Sequence, residues 1–492
     1  MKILHRAWLS AVLLGLASLL LYTINIERAP HHDELYHILA AEGLLATGEP
    51  SIGEAGLYWR GYPVTWLVAQ SFALFEPGLT AARLPAVLFM AGLVVLLFLF
   101  LHREAGALAA WLGAGLFAIS PFAIELAQFV RFYSLQTLLF FAAAWIVYTL
   151  VGSTWSTTRH LPLAGLALLL LGVAYNLQPT TLLGVVGLAL WATGAVFLPW
   201  LADPLVPGRR KQSAFLALIA AGLALTAMIW ATGILADIWQ TYRSTALFNR
   251  QHADQFWYYH GWYTLLYPTL WTTSGLLAIA ALIARPRLAS FLLVVFITGF
   301  LLNSFAASKN MRYISYAQPF LFGFWGLSLS VLLLGAGPLY DRSRAWLGQS
   351  LTLLPVTIAR SLATLLVIGA LAFLVVTNPA SLRTVALLAG LTVPPTLPPN
   401  DWPAAQPVLD PWIERVGAVV TTDELRMLYH YGRADYLLSA TKFAELPETR
   451  RQPFGRDIRT DVPVIADARS LELIMQCHDS GLFIAQVLRL GD

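Results

Sequence analysis

The chain has 492 residues, of which 58% are hydrophobic and 12% charged, about half the charged share of a soluble globular domain. A formal net charge of +4 is too small for a nucleic-acid footprint, and the single cysteine, Cys477, excludes an intrachain disulfide framework. The apolar residues are gathered into runs close to the roughly 20 residues of helix that cross a hydrocarbon layer, which predicts an all-α polytopic membrane protein.

Residues 1–26 place Lys2 and Arg6 before an apolar run that is longer than a signal-peptide core, with no small-x-small cleavage site before Glu27-Arg28. An uncleaved first helix is expected. In chain order, eleven spans are predicted, at 8–26, 84–101, 107–122, 131–151, 161–176, 180–200, 213–235, 264–284, 288–303, 314–334 and 360–377. With the N-terminus in the cytoplasm, the short inner segments carry Arg103, Arg159, Arg209-Arg210-Lys211, Arg285 and Arg287, as the positive-inside rule asks. An odd span count then puts the tail outside. Two outer segments are long, 27–83 and 236–263, and long connections in compact proteins tend to carry function. Within the first, Tyr62–Phe75 is expected as a short interfacial helix. A Pro-rich stretch, Val393-Pro394-Pro395 to Pro398-Pro399, marks a linker over 379–400. Residues 401–492 then read as a small extracytoplasmic α/β domain, with strands at 416–421, 434–439, 462–466 and 482–487 and helices at 424–430 and 470–477. No glycine-rich phosphate loop opens either helix, so nucleotide binding is not expected there.

Chemistry-bearing residues gather on the predicted outer face. His31-His32-Asp33-Glu34-Leu35-Tyr36-His37 follows the first span. Its carboxylates can act as a general base or hold a cation. The structural reading of the same residues is a solvated cap, with Asp33 as N-cap of an amphipathic helix to about Leu45. His32 and His37 stand about 140° apart on a helix, which disfavours a zinc-protease pair. Asp33 and His37 share a face, which leaves room for a divalent metal. Arg131-Phe132-Tyr133 begins the fourth span, and Lys309-Asn310-Met311-Arg312-Tyr313 precedes the tenth. Such cations either snorkel to headgroups or pair with phosphate. Arg60, in Tyr58-Trp59-Arg60-Gly61-Tyr62-Pro63, is a fourth outward cation.

Taken in order, Asp33-Glu34, Arg60-Gly61-Tyr62-Pro63, Ala82-Arg83-Leu84-Pro85, Arg131-Phe132-Tyr133-Ser134-Leu135 and Lys309 with Arg312-Tyr313 resemble the bacterial GT-C glycosyltransferases of the protein O-mannosyltransferase and aminoarabinose-transferase type. The resemblance covers roughly residues 1–335; Tyr62-Pro63 stands where aminoarabinose transferases commonly carry Lys-Pro-Pro. It implies a polyprenyl-phosphate sugar as donor and an extracytoplasmic glycan, lipid or protein as acceptor. It also implies Asp33 as catalytic base with Glu34 orienting either Asp33 or an arginine, and a donor-phosphate site of Arg131, Lys309 and Arg312, with Tyr133, Tyr313 and Arg60 beside it. The bacterial inner membrane is the implied location. The competing class is a transporter or flippase for a lipid-linked sugar, which calls for ionisable or Gly/Pro-broken helices near the bilayer midplane; the predicted spans carry almost none.

Overall fold

The computed structural model describes residues 2–202 apart from 54 and 153–156, residues 255–347 apart from 307, and residues 376–391. It also describes residues 402–485 apart from 447, 449–450 and 452–453, and scattered positions within 208–227 and 361–373. Nearly all of the expected span at 213–235, part of that at 360–377, and the Pro-rich stretch lie outside the described residues.

Helix α1 (Lys2–Thr23) leads into α2 (His32–Thr47), a short hairpin of β1 (Ser51–Ile52) and β2 (Gly56–Leu57), and α3 (Tyr62–Phe75). The bundle continues with α4 (Leu79–Ala105), α5 (Ala107–Ala118), α6 (Pro121–Ala127), α7 (Tyr133–Val151), α8 (Thr157–Leu177) and α9 (Thr181–Ala202). After the undescribed stretch come α10 (Tyr258–Leu266), α11 (Pro268–Ala284), α12 (Pro286–Phe305), a 3-10 turn (Met311–Ala317) and α13 (Gln318–Leu347). Among the described residues, five helices are long and apolar enough to cross a membrane, or up to seven if each bent pair counts as one span. The expected single spans at 107–122 and 264–284 are both broken. Helices α5 and α6 meet at 60°, and α10 and α11 at 106°. The cause is local. Pro121 and Pro268 each begin a new helix, where a missing N–H costs nothing, and Ser120 caps α6 by accepting the Ala123 N–H.

The bundle closes on small residues. A β-carbon at Gly326 of α13 would strike the backbone of Gly113 of α5, so these helices touch main chain to main chain. Helix α3 buries Val64, Val68 and Phe72 and exposes Trp66, Leu74 and Phe75.

Residues expected as linker include a helix instead, α14 (Pro379–Leu388). It is held by an Arg383–Glu125 ion pair at 2.6 Å and by the Thr384 hydroxyl on the Ile119 carbonyl at 2.8 Å, contacts that sequence patterning does not display. The C-terminal unit contains α15 (Trp402–Ile413), β3 (Ala418–Thr421), α16 (Glu424–Tyr431), β4 (Tyr436–Leu438) and α17 (Ala440–Glu445). It ends with β5 (Gly455–Arg456), β6 (Pro463–Ile465), α18 (Ala468–Gln476) and β7 (Gly481–Ile484). Its sheet runs β5-β6-β4-β3-β7, parallel except for β5 against β6. The chain order reverses beside β3, and the carboxyl end of that strand leads to Asp423, which caps α16 by accepting the Arg426 N–H.

Candidate active site

Helix α2 starts with a capping box built on histidine. The His31 ring accepts the Asp33 N–H at 3.1 Å, and the Glu34 carboxylate accepts the His31 N–H at 2.8 Å. The sequence reading put Asp33 at the cap. Because His31 takes that role, the Asp33 carboxylate is left to face other partners. Gly48, at φ 83°, ends the helix in the left-handed region, with its N–H on the Leu44 carbonyl.

Asp33 and Glu34 are adjacent in sequence and point to different fates. Glu34 is buried and saturated. Arg83 donates to it through Nε at 3.0 Å and Nη2 at 2.8 Å, and the Val130 N–H donates at 3.1 Å. Arg83, itself fully buried, also bonds the carbonyls of Ile26 and Arg28. Burial opposes ionisation of Glu34, but Arg83 and the His31 and Val130 N–H groups together outweigh it and hold the carboxyl below its usual range. This pair locks α2 to α4 and to the turn before α7. It leaves Glu34 no free oxygen lone pair aimed at the cluster where Asp33 lies.

Asp33 instead meets Arg312, with Oδ2 2.5 Å from Nη1. Burial again opposes its charge, while Arg131 and Arg312, with smaller help from His31 and His32, hold the carboxyl well below the usual carboxylate range. Arg131 donates from Nη1 to the Tyr58 hydroxyl at 2.8 Å and to the Asp33 carbonyl at 3.2 Å. The Nε atoms of both arginines are buried without a hydrogen-bond partner. Aromatic rings floor the cluster. Arg312 lies 5.7–5.9 Å from the ring centres of Phe129, Tyr133 and Tyr313, and Arg131 lies 5.0 Å from that of Phe132.

The other expected residues fall around this centre. Arg60 lies 5.3 Å from the Phe132 ring centre and donates to Gln178 at 3.3 Å. Gly61, at φ 66°, brings the chain so close to Phe132 and His37 that a β-carbon would sit 2.7 Å from the Phe132 ring. Lys309 is buried and donates to the Ala306 carbonyl at 2.7 Å, at the end of α12. Thus Asp33, Arg131, Arg312, Tyr133 and Tyr313 converge; Arg60 is one ring away, Lys309, in the loop after α12, donates to the Ala306 carbonyl, and Glu34 faces Arg83.

Three contributors went unassigned in the sequence: Arg83, Tyr58 and His37. Arg83 stands just ahead of the predicted span at 84–101 and enters the resemblance without a role. His37 was weighed only as a metal ligand with Asp33. The structure turns its Nδ1 to the Thr65 hydroxyl at 2.9 Å, and burial, then Arg131 and Arg60, push its pKa well below the usual value. Its Nε2 has no hydrogen-bond partner. Among the described residues, no group of three or more His, Cys, Asp or Glu side chains is placed to hold a metal ion.

The helical bundle, with its carboxylate–arginine cluster at one end and a small sheet unit against that end, shares its fold with solved membrane-protein structures. Among solved structures, the chain is similar to ArnT from Cupriavidus metallidurans bound to undecaprenyl phosphate, at 17% identity and a TM-score of 0.53, covering 87% of this chain and 85% of that one. It is also similar to the archaeal oligosaccharyltransferase AglB from Archaeoglobus fulgidus in complex with an inhibitory peptide and a dolichol-phosphate. That match has 12% identity and a TM-score of 0.54, and covers 82% of this chain and 58% of the other. At these identities the likeness is one of fold. No protein-family model and no curated protein matches the chain by sequence.

Proposed function

We propose that the protein is an integral membrane glycosyltransferase that moves a sugar from a polyprenyl-phosphate donor to an acceptor on the outer face of a bacterial inner membrane. The observation that carries this reading is the Asp33–Arg312 pair beside Arg131, with an unpartnered buried Nε on each arginine. A base and paired phosphate donors stand together in a fold shared with structures that hold polyprenyl or dolichol phosphate. The polyprenyl tail partitions into lipid beside the exposed Trp66, Leu74 and Phe75 of α3, and its phosphate meets the arginines.

The acceptor hydroxyl or amine attacks the anomeric carbon and passes its proton to Asp33. The bond between that carbon and the phosphate oxygen breaks, its electron pair leaves with polyprenyl phosphate, and Arg131 and Arg312 stabilise the added negative charge. A single displacement inverts the anomeric centre. Glu34 is a positioning residue in this scheme. A carboxylate paired with Arg312, in the field of Arg131, is a weak base, so the donor phosphate has a second role. By drawing Arg312 to itself it restores basicity to Asp33 just when the acceptor must be deprotonated.

The test is purified protein in lipid nanodiscs with a panel of polyprenyl-phosphate sugars, read as release of free polyprenyl phosphate. The wild type releases it with at least one donor and acceptor and the Asp33→Asn variant does not. Equal release by both removes Asp33 from the mechanism.

A further inference from the structure

The C-terminal unit lies against the elements that carry the cluster, and the contacts are specific. At one point, the His32 ring Nδ1 is 3.1 Å from Asp423 Oδ1, at the carboxyl end of β3. At another, the turn at residues 457–460 lies on the β1–β2 hairpin. A β-carbon at Gly56 would press on the Arg459 carbonyl and come within 2.6 Å of the Thr460 Cα, so only glycine permits this approach of two main chains. The turn is rigid. Asp457 Oδ1 accepts the N–H groups of Arg459 and Thr460, each at 2.9 Å, and the Thr460 hydroxyl at 3.1 Å. Its other oxygen is 3.4 Å from Lys442, which also pairs with Glu424 of α16.

From that turn a train of side chains leads to the cluster. The Arg459 guanidinium lies 5.1 Å from the Tyr36 ring centre. Tyr36 stacks on Tyr58 with centroids 5.0 Å apart and planes 16° apart. The edge of His37 meets Tyr58 at 5.2 Å, and the Tyr58 hydroxyl accepts the Arg131 bond at 2.8 Å. A hairpin of two-residue strands does not hold its own shape in water, so the position of Tyr58 depends on what backs it.

We propose that the C-terminal unit is a clasp on the site: its 457–460 turn fixes the hairpin and, through Arg459, Tyr36 and Tyr58, sets Arg131 in place for the donor phosphate. Arg459, Tyr36 and Tyr58 are positioning residues on one path. This deepens the transferase reading and rests on it for the identity of the anion.

The experiment measures binding of undecaprenyl phosphate to the full-length protein in nanodiscs, beside the melting temperature. Arg459→Ala and Tyr58→Phe each weaken binding about tenfold, with melting close to wild type, and Arg459→Lys recovers most of the loss. Because both act through one path, the double variant Arg459→Ala/Tyr58→Phe binds no more weakly than the worse single one. Wild-type binding by Arg459→Ala, or a double variant whose losses multiply, overturns the clasp. A wild type that binds undecaprenyl phosphate yet transfers no sugar removes the transferase reading and leaves the clasp standing; one that binds none removes both.

Discussion

The two ends of the helical bundle both hold charged side chains, and they hold them differently. Where α4 finishes and α12 begins, Arg287 donates to the Tyr148 carbonyl at 2.6 Å and lies 4.4 Å from its ring centre. The Tyr148 hydroxyl donates to Glu104 at 3.2 Å, and Glu104 pairs with Arg103 at 3.3 Å. No buried polar atom of these four side chains is orphaned. At the opposite end, where α2 begins, Arg131, Arg312 and His37 each keep a buried nitrogen without a hydrogen-bond partner. An unpaired buried polar atom costs about 1–3 kcal/mol. A saturated set of charges is explained by folding alone, whereas an unsaturated one retains donors for a further partner. The same contrast divides neighbours within the second end, since Glu34 is saturated by Arg83 and the His31 and Val130 N–H groups, whereas Asp33 pairs with Arg312, whose buried Nε is left without a partner.

Substitutions separate these classes, and the largest effect is expected at Asp33. Asp33→Asn lowers sugar transfer by about 10²–10⁴-fold, measured as polyprenyl phosphate release, while the protein still folds. Next comes Glu34→Gln, which strands the buried Arg83. It destabilises the fold by about 3–5 kcal/mol, read as a fall in melting temperature in detergent. If Asp33→Asn proves the more destabilising of the two, the contrast between the neighbours is wrong.

A smaller effect is expected in pH dependence. The folded-state pKa of Asp33 is depressed, so its contribution to stability is fully present above the unfolded value of about 4 and is lost only as pH falls through the lower folded value. Arg312→Gln removes one of the two cations responsible and moves that loss upward, towards the ordinary carboxylate range. Melting temperature measured against pH, with Asp33→Asn subtracted, shows whether it moves. The smallest effect is expected at the saturated end. Arg287→Gln costs about 1–2 kcal/mol of stability and leaves undecaprenyl phosphate binding at its wild-type level.

How much of this was legible in the sequence varied with the range of the interactions. Helix α3 has the expected limits because its signals are local: Gly61 and Pro63 open it, and Glu76-Pro77 closes it. The alternation of strands and helices in the C-terminal unit was likewise readable from short runs. Helix α15 was missed because Pro407 and Pro411 lie inside it. The break at Ser120-Pro121 carried a helix-start signal that the continuous apolar run concealed. The cap on α2 was misplaced because histidine is not a usual cap residue, and that error also hid why the Asp33 carboxylate is available. Pairings across long separations, such as Glu34 with Arg83 and Arg459 with Tyr36, leave no pattern in one sequence. They decide which carboxylate is saturated and which faces the arginine cluster.

The central claim is that Asp33 and the donor phosphate share Arg312, so that binding the donor frees the base. Affinity for undecaprenyl phosphate in wild type and Asp33→Asn, measured in nanodiscs at neutral pH, tests it most directly. The account predicts tighter binding by Asp33→Asn, because the competing carboxylate charge is gone, together with loss of sugar transfer. Weaker binding by that variant would contradict it, since the carboxylate would then be helping to hold the donor and not competing for its arginine.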